Sequence, residues 1–432
     1  MGSYGEDRRV LVIKFGGRTL SDPVRIRKCA EKVASIASHD KVVVVVSAMG
    51  DQTSNLISMA HDVTLNNPKP LDTVRAASFG EMISATLFAS SLEAMGCAAN
   101  AVIPYDETWP IIASEPRQSV LSVEKINEDR QITIHDGETR RRVNEYIIPM
   151  MDNGQVPVIC GFLATDPVGT LTTLGRGGSD TTAFILGKYL HASEVIIVTD
   201  QQGVLKADPA TVDSPEKISV ISTDQLDSMA RSGARVLHPH SLVHKTPDMK
   251  ARVVNFESPD ITQGGTLIEG FLRATLRSTP YPLALLNIVG EDFEENSKAV
   301  GNIVSSVTDA AIPVYACSLT PGYLGVFVKD EDSERAYHVM HGCIAKDKRM
   351  KSLALKKQIA RVTISSPKFQ DQPGILAIIT RSLGEQNINV IDLVTLQGDI
   401  SVFIDWAERE RVIRTLRRLA VSARLDEVLM GN

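Results

Sequence analysis

The sequence predicts an α/β protein in which a mainly parallel sheet lies between helices, followed by two smaller ferredoxin-like α+β units. Two observations support this prediction. Short β-branched runs, such as residues 10–13 and 42–46, alternate with segments of helical periodicity as far as residue 268. From residue 281 onwards, the order strand, helix, strand, strand, helix occurs twice. We therefore expect a first domain over residues 9–268, a linker over 269–280, and repeated units over 281–350 and 357–428.

The composition is that of a globular protein. With 432 residues, 43% apolar and 23% charged, the chain is long enough for several domains that each bury a core. The net charge of −6 argues against general affinity for nucleic acid or an anionic membrane. Five separated cysteines without a CxxC pair, no secretion signal and no apolar run of spanning length predict a cytoplasmic protein with reduced thiols.

A glycine-rich loop follows a short strand and begins a helix. It reads Gly175-Arg176-Gly177-Gly178, and Ser179 and Asp180 fall in the first helical turn. Glycine permits close backbone approach, a helix N-terminus presents N–H groups, and arginine adds a fork of donors. The loop therefore predicts a site for a carboxylate or a phosphate.

Glycines and small polar residues also follow the first two strands. Lys14, Gly16 and Gly17 come after the first strand, and Ser47 and Thr53 come after the second. In an open α/β sheet, ligands bind in the crevice outside these strand ends.

Glu81 lies in a long helix that begins near Arg75. An exposed surface carboxylate is the default interpretation of a lone glutamate. Its neighbours are mostly small and apolar, which favours a polar pocket where Glu81 pairs with an ammonium group. The run Arg140-Arg141-Arg142 is interpreted as a solvated face.

Several sequence blocks occur in the order typical of one family, and they span residues 9–268. A lone glycine-rich loop would be a weak signal, whereas ordered blocks are specific. The blocks are Lys14-Phe15-Gly16-Gly17, Val45-Val46-Ser47-Ala48-Met49 with Thr53, Ser78-Phe79-Gly80-Glu81, Gly161-Phe162, Thr173-Leu174-Gly175-Arg176-Gly177-Gly178-Ser179-Asp180, Thr199-Asp200 with Gly203, and Gly233-Ala234 with Val236-Leu237-His238-Pro239. On these residues the sequence resembles the aspartokinases, members of the amino acid kinase family with paired ACT-type regulatory domains.

The resemblance implies an amino acid kinase fold and transfer of the γ-phosphoryl group of ATP to the β-carboxylate of L-aspartate. It implies Mg²⁺ as the companion of ATP, although no motif predicts a metal-ligand cluster. The implied roles are catalysis for Lys14 and Asp180; phosphate binding for Gly16, Gly17, Gly177 and Gly178; substrate binding for Ser47, Thr53, Glu81, Arg176 and Ser179; and nucleotide binding for Thr199, Asp200 and Arg235.

The repeat from about residue 280 resembles a pair of ACT domains, which implies an amino-acid effector (lysine, threonine or methionine) and a homodimer or higher homo-oligomer. Two interpretations of the segment after residue 370 stay open, a plain turn and helix start or an effector site. The candidate effector residues are Asp371, Pro373, Gly374, Ile375, Asn389 and Asp392.

The departures from the family pattern lie on the nucleotide side. Gln202, Leu205 and Ala210 stand where the family usually has aspartate, tyrosine and arginine, Arg18 stands where it has a small residue, and Arg235 stands where lysine is common. Three functions therefore stay open at this stage: an aspartokinase, a related kinase of another acidic amino acid, and a sensor with a decayed catalytic domain.

Overall fold

The computed structural model describes residues 8–114, 132–234, 237–345, 347–366, 369, 374–396 and 398–422. They form two compact units, one ending at Leu272 and the other beginning at Arg273. No helix within these ranges is long and apolar enough to cross a membrane.

The first unit is built on an eight-stranded sheet with the strand order β3-β4-β2-β1-β7-β9-β10-β8. All neighbours run parallel except β9 and β10, which confirms the predicted mainly parallel sheet. Strands β5 and β6 form a separate hairpin. The strands are β1 (Val10–Phe15), β2 (Lys41–Val46), β3 (Ala99–Val102), β4 (Val156–Cys160), β5 (Leu163–Thr165), β6 (Leu171–Thr173), β7 (Glu194–Thr199), β8 (Val220–Ser222), β9 (Lys250–Asn255) and β10 (Thr266–Glu269).

Helices connect these strands, and their starts follow local capping rules. The Asp22 carboxylate accepts from the Arg25 N–H, and Pro23 occupies the first helical position of α1. Ser222 and Gln225 form a reciprocal capping box at the start of α7. The helices are α1 (Pro23–Ala37), α2 (Gln52–Val63), α3 (Pro70–Ala94), α4 (Asp136–Arg142), α5 (Ile148–Asp152), α6 (Gly178–Tyr189), α7 (Thr223–Arg231) and α8 (Pro239–Leu242).

The central strands are buried on both faces. The residues from Val42 to Val46 are at most 2% exposed, because helices cover both sides of a parallel sheet. This explains why β2 is a continuous valine run rather than an alternating pattern. The burial fixes the ends of the strands, from which the polar loops project.

The second unit contains two ferredoxin-like halves. In the first half the strand order is β13-β14-β12-β15, with α9 and α10 packed on one face; in the second half it is β11-β15-β17-β16, with α11 and α12 on one face. The elements are β11 (Thr275–Ser278), β12 (Leu283–Gly290), α9 (Ser297–Asp309), β13 (Ala316–Thr320), β14 (Tyr323–Lys329), α10 (Ser333–Ile344), β15 (Met350–Ser365), α11 (Ile375–Gly384), β16 (Val390–Leu396), β17 (Asp399–Asp405) and α12 (Arg409–Ser422).

The other faces of the two half-sheets pack against each other. Phe327 on β14 and Phe403 on β17 stack with ring centroids 4.1 Å apart, although β12 and β15 lie between their strands in the sheet. Leu283 and Ile359 are buried in the same apolar cluster. The sheet therefore folds over on itself and encloses a second apolar layer between its halves.

Strand β15 changes the predicted division of this unit. It runs through residues 350–365 without a break and pairs first with β12 and then with β17, so no gap separates the halves at residues 350–357. Strand β11 lies within the segment predicted as a linker, and it pairs with the second part of β15. The second half thus takes its edge strand from a segment that precedes the first half.

Candidate active site

The candidate site lies where four neighbouring strands end. Phe15 pairs with Val46, Val46 with Cys160, and Phe15 also with Val198, so β4, β2, β1 and β7 end at the same edge. The loops that follow these strands carry the polar residues and glycines identified in the sequence. Two cavities open at this edge, on either side of the turn after β1.

Lys14 and Asp180 form the centre of the site. The Lys14 Nζ lies 2.5 Å from Asp180 Oδ1, and the two side chains are only 12% and 13% exposed. Lys14 is the second-last residue of strand β1, just before the glycines, and Asp180 lies in the first turn of α6. A buried ion pair of this kind holds the lysine ammonium in one position.

The first cavity has a volume of about 470 Å³ and brings together nine of the residues predicted to bind phosphate or substrate or to catalyse. It is polar at its base, where a carboxylate, an ammonium and an exposed guanidinium occur together. The described lining is Lys14, Ser47, Thr53, Ser54, Ile57, Ser58, Glu81, Phe162, Gly175, Arg176, Gly177, Gly178, Ser179 and Asp180.

Glu81 is a buried carboxylate with unsatisfied capacity to accept hydrogen bonds. It is 3% exposed, and the Thr53 hydroxyl donates to its Oε1 at 3.2 Å. Its Oε2 has no hydrogen-bond donor within the described chain. Burial raises the pKa of Glu81 to about 7, although the bond from Thr53 acts in the opposite direction. A cationic group of a ligand would satisfy both the free oxygen and the charge.

The glycine-rich loop is held by close packing. Gly177 has a φ of +69°, and a Cβ there would lie 2.1 Å from the Cβ of His238. A Cβ on Gly178 would lie 2.9 Å from the Cα of Phe162. Only glycine fits these two positions, so the loop presents Arg176 to the cavity from a closely packed backbone.

The second cavity has a volume of about 560 Å³ and begins at the turn after β1. Gly16 and Gly17, predicted to bind phosphate, and Thr199 and Asp200, predicted to bind the nucleotide, line it. Apolar side chains form much of the remainder. The described lining is Gly16, Gly17, Arg18, Thr19, Thr199, Asp200, Gln201, Leu205, Lys206, Ala207, Asp208, Pro209, Ala210, Met229 and Ala234.

Two of the four glycines predicted to bind phosphate already use their backbone N–H groups within the protein. The Gly16 N–H donates to Val198 O at 3.3 Å, and the Gly178 N–H donates to Gly175 O at 3.1 Å. These amides are engaged within the protein, because they connect β1 to β7 and close the turn before α6. The need for glycine at Gly17 is steric, since a Cβ would lie 2.6 Å from the carbonyl oxygen of Ala48.

Some lining residues were missed by sequence reasoning. Ser54 and Ser58 lie one helical turn apart on α2 and, with Ile57, face the first cavity. Their spacing is a signal that could have identified them. Phe162 has a φ of +70°, a conformation that bulky residues rarely adopt, and nothing in the sequence indicates it. Arg235 lies outside the described residues.

The predicted effector residues are only partly described. Gly374 and Ile375 begin α11, and the Ile375 side chain is buried in the core of the second half, which leaves only its backbone for a ligand. Asn389 is exposed. The Asp392 carboxylate accepts from the Ser318 hydroxyl of the first half. Asp371 and Pro373 lie outside the described residues.

The site is a buried lysine–carboxylate pair in a polar cavity, next to a glycine-lined cavity, at the strand ends where open α/β sheets bind ligands. A model of the amino acid kinase family matches residues 9–255. The chain belongs to this family. A model of the ACT domain matches residues 355–418. This match confirms the predicted ACT-type fold in the second half of the second unit.

Proteins similar to this chain in sequence or in structure include several aspartokinases. An aspartokinase of Thermus thermophilus is 28% identical over 435 residues, which cover 95% of this chain and 98% of the relative. A crystal structure of aspartate kinase from Synechocystis matches with a TM-score of 0.69 at 21% identity, covering 95% of this chain and 69% of that one. E. coli aspartokinase III in complex with aspartate and ADP (R-state) matches with a TM-score of 0.52 at 20% identity, covering 95% and 99%. The likeness to these two structures concerns the fold.

Proposed function

We propose that the protein is an aspartokinase, which transfers the γ-phosphoryl group of ATP to the β-carboxylate of L-aspartate and forms 4-phospho-L-aspartate. The observation that carries this proposal is the first cavity, where the buried Glu81 carboxylate and the Arg176 guanidinium line one polar space beside Lys14. A ligand with one ammonium and two carboxylates complements these three charges. The likeness to aspartokinases over 95% of the chain supports the same substrate.

The reaction needs positioning more than proton transfer. The β-carboxylate of aspartate, with an ordinary pKa of about 3.9, is ionised at neutral pH and needs no general base. The difficulty is to bring this anion to an anionic phosphoryl group. Lys14 supplies a cation at the meeting point of the two cavities, and Asp180 holds that cation in place.

In this proposal Glu81 binds the substrate ammonium group, and Arg176 binds the carboxylate that does not react. The hydroxyl groups of Ser47, Thr53 and Ser179 complete the lining of the same cavity. A charge on each side of the substrate fixes its orientation, so that the β-carboxylate points to Lys14. The reacting atoms are thereby aligned before transfer.

The nucleotide occupies the second cavity, beside Thr199 and Asp200, with its phosphates at the turn of Gly16 and Gly17. The described residues contain no cluster of three or more histidine, cysteine or acidic side chains that could hold a metal ion. Mg²⁺ that arrives with ATP commonly binds through substrate phosphates and one or two carboxylates, so it needs no such cluster. When bound, the ion would neutralise phosphate charge, and Asp180 in the first cavity and Asp200 in the second would be carboxylates that hold it.

The second unit serves regulation in this proposal. Its two ferredoxin-like halves bind an amino-acid end product of the cytoplasmic pathway, lysine, threonine or methionine, and join subunits into a homodimer or a higher homo-oligomer. Strand β13 lies at the end of its sheet and pairs on one side only among the described strands, so its other edge is open to such pairing. Inhibition by each of the three amino acids at several aspartate concentrations, together with the molar mass in solution, tests this part.

A panel of acceptors tests the catalytic proposal. ADP release is measured with MgATP and either aspartate, glutamate, asparagine or no acceptor. We expect release that depends on aspartate and is at least about tenfold faster than with glutamate, since an added methylene displaces the reacting carboxylate in a preformed cavity. Preference for glutamate would redirect the proposal to another acidic amino acid kinase. If no acceptor stimulated ADP release, the proposed kinase activity would be rejected.

A further inference from the structure

Arg18 lies beside the expected phosphate site but has no part in the function described so far. It follows Gly17 directly, in the 3₁₀ turn Gly17–Leu20 after β1, and it lines the second cavity. Its side chain is 77% exposed, and its Nη1 lies 3.3 Å from Asp200 Oδ2. Arg18 thus bridges the loops that follow β1 and β7, across the mouth of that cavity.

Further hydrogen bonds hold the Arg18 backbone and the Asp200 residue on the two sides of this contact. The Arg25 guanidinium donates to the Arg18 carbonyl oxygen at 2.8 Å, which holds the backbone of the turn. The Thr199 hydroxyl donates to Asp200 Oδ1 at 3.1 Å, and the Asn255 amide donates to the Asp200 carbonyl oxygen at 2.9 Å. The Arg18 side chain itself is exposed and contacts Asp200 through a single nitrogen.

Two cationic side chains, Arg18 and Lys206, line the described part of the cavity, and we compare their availability to an anion. The described ionisable residues there are Arg18, Lys206, Asp200 and Asp208. The Lys206 ammonium lies 2.5 Å from the Glu216 carboxylate. The family pattern has an arginine where Ala210 stands in this chain, so the cavity has lost one cation and gained another at a different position.

We infer that Arg18 binds the α- and β-phosphates of the nucleotide, and that it exchanges its contact with Asp200 for these phosphates on binding. The assignment to these phosphates follows from position, since Arg18 lines the nucleotide cavity whereas Lys14 lines the amino-acid cavity. This inference rests on the proposed function only for the assignment of a nucleotide to the second cavity.

The exchange is favourable on general grounds. An exposed ion pair with a single contact contributes little to stability, so breaking it costs little. A guanidinium has five N–H donors in a fork that matches phosphate oxygens, and a bidentate contact to phosphate is stronger than a single contact to a carboxylate. Asp200 is then free to contact another part of the nucleotide while Thr199 keeps it in place.

Calorimetric titration of the full-length protein with MgADP tests the inference without any acceptor. The variants are Arg18→Ala, Arg18→Lys and, as a control of equal charge change, Arg27→Ala, whose side chain is exposed on α1 and lies outside both cavities. We expect the dissociation constant of MgADP to rise about tenfold in Arg18→Ala, less in Arg18→Lys, and less than about twofold in Arg27→Ala.

A series of ligands with decreasing phosphate number separates direct contact from general damage. MgATP and MgADP are expected to weaken equally in Arg18→Ala, AMP less, and adenosine not at all. Equal weakening of adenosine and ADP would show that the variant distorts the cavity and would overturn the inference, as would unchanged MgADP affinity.

Failure of the proposed function leaves a different signature. A wild-type protein that binds MgADP through Arg18 but shows no turnover with aspartate contradicts the aspartokinase proposal and leaves the role of Arg18 standing. A wild-type protein that binds no adenine nucleotide contradicts the role of Arg18 itself.

Discussion

The Lys14 ammonium and the Asp180 carboxylate lie 2.5 Å apart and are both largely buried, one at the end of β1 and the other in the first turn of α6. They are 166 residues apart in sequence, and the parallel sheet brings them together at the boundary of the two cavities. Because a buried lysine needs a counter-charge, Asp180 is the partner that sets the direction of the Lys14 side chain.

Removal of the ammonium is expected to abolish most of the catalysis. Lys14→Ala should lower kcat by about 10³-fold, because it removes a preorganised cation from the charge that develops during transfer. Nucleotide binding, measured by titration with MgADP, should change by less than about threefold, since most of the nucleotide contacts lie elsewhere. Equal losses in kcat and in MgADP affinity would contradict the assigned role.

Asp180→Asn should act through Lys14. We expect a smaller fall in kcat, about 10- to 100-fold, because the ammonium remains but loses its orientation. In the double variant Lys14→Ala/Asp180→Asn the loss should be close to that of Lys14→Ala alone. Multiplicative losses in the double variant would mean that the two residues act independently.

The pH dependence of substrate binding should report on Glu81. Burial raises its pKa to about 7 in the free protein, and the substrate ammonium group needs the ionised form. Below pH 7 binding must first remove a proton from Glu81, so the KM for aspartate should rise towards tenfold per pH unit as the pH falls, and should level off above pH 7.5 or so. Steady-state kinetics from pH 5.5 to 8.5 measure this.

Glu81→Gln provides the control for that profile. It should raise the KM for aspartate and flatten its pH dependence in this range. Stability gives a second check, because a carboxyl group with a raised pKa favours the folded protein when protonated. The wild type should therefore lose stability as the pH rises from about 4.5 to 7, whereas Glu81→Gln should not. A wild-type Tm that stays parallel to that of the variant would contradict the assignment.

Replacement of Arg176 is expected to weaken the binding of aspartate much more than the binding of ATP. Its side chain is exposed and lines only the amino-acid cavity. Arg176→Ala should raise the KM for aspartate by about 30- to 100-fold, the loss of a charge-assisted bidentate contact, and the KM for ATP by less than about threefold. Similar increases for both substrates would mean that Arg176 supports the whole site rather than the substrate carboxylate.

Gly16 and Gly17 are adjacent glycines of the same motif, but only Gly17 lacks space for a side chain. A Cβ on Gly16 would lie 3.7 Å from its nearest neighbour, whereas a Cβ on Gly17 would lie 2.6 Å from Ala48 O. Gly17→Ala should cost about 1–3 kcal/mol and lower the Tm by several degrees, while Gly16→Ala should change the Tm by about 1 °C or less. Thermal unfolding of both variants measures this, and equal shifts would contradict the close approach.

Local sequence patterns account for much of the fold. The valine run of β2, the Asp22-Pro23 cap of α1 and the helix Ser297–Asp309 all follow from residues that lie close together in sequence. The residues of the candidate site could be predicted from the sequence for a similar reason. Lys14 lies at the end of a recognisable strand, and the loop from Gly175 to Asp180 follows another. The parallel sheet then places strand ends side by side whatever their separation in sequence.

The parts that were missed depend on long-range pairing. The first half of β15 contains Lys351, Lys356 and Lys357 on an exposed edge, so its composition does not resemble a buried strand, although lysine is common on sheet edges. Strand β11 is four residues long and pairs with a strand about 85 residues away. The occupied amide of Gly16 likewise depends on a long-range contact, with Val198.

Formation of an acyl phosphate is the most direct test of the central claim. Purified protein is incubated with MgATP, aspartate and hydroxylamine, and the hydroxamate is measured beside ADP for the wild type and for Lys14→Ala. We expect aspartyl hydroxamate in equal amount to ADP in the wild type, and a loss of about 10³-fold in the variant. ADP release without hydroxamate, or hydroxamate that is unaffected by Lys14→Ala, would contradict phosphoryl transfer to the β-carboxylate at this site.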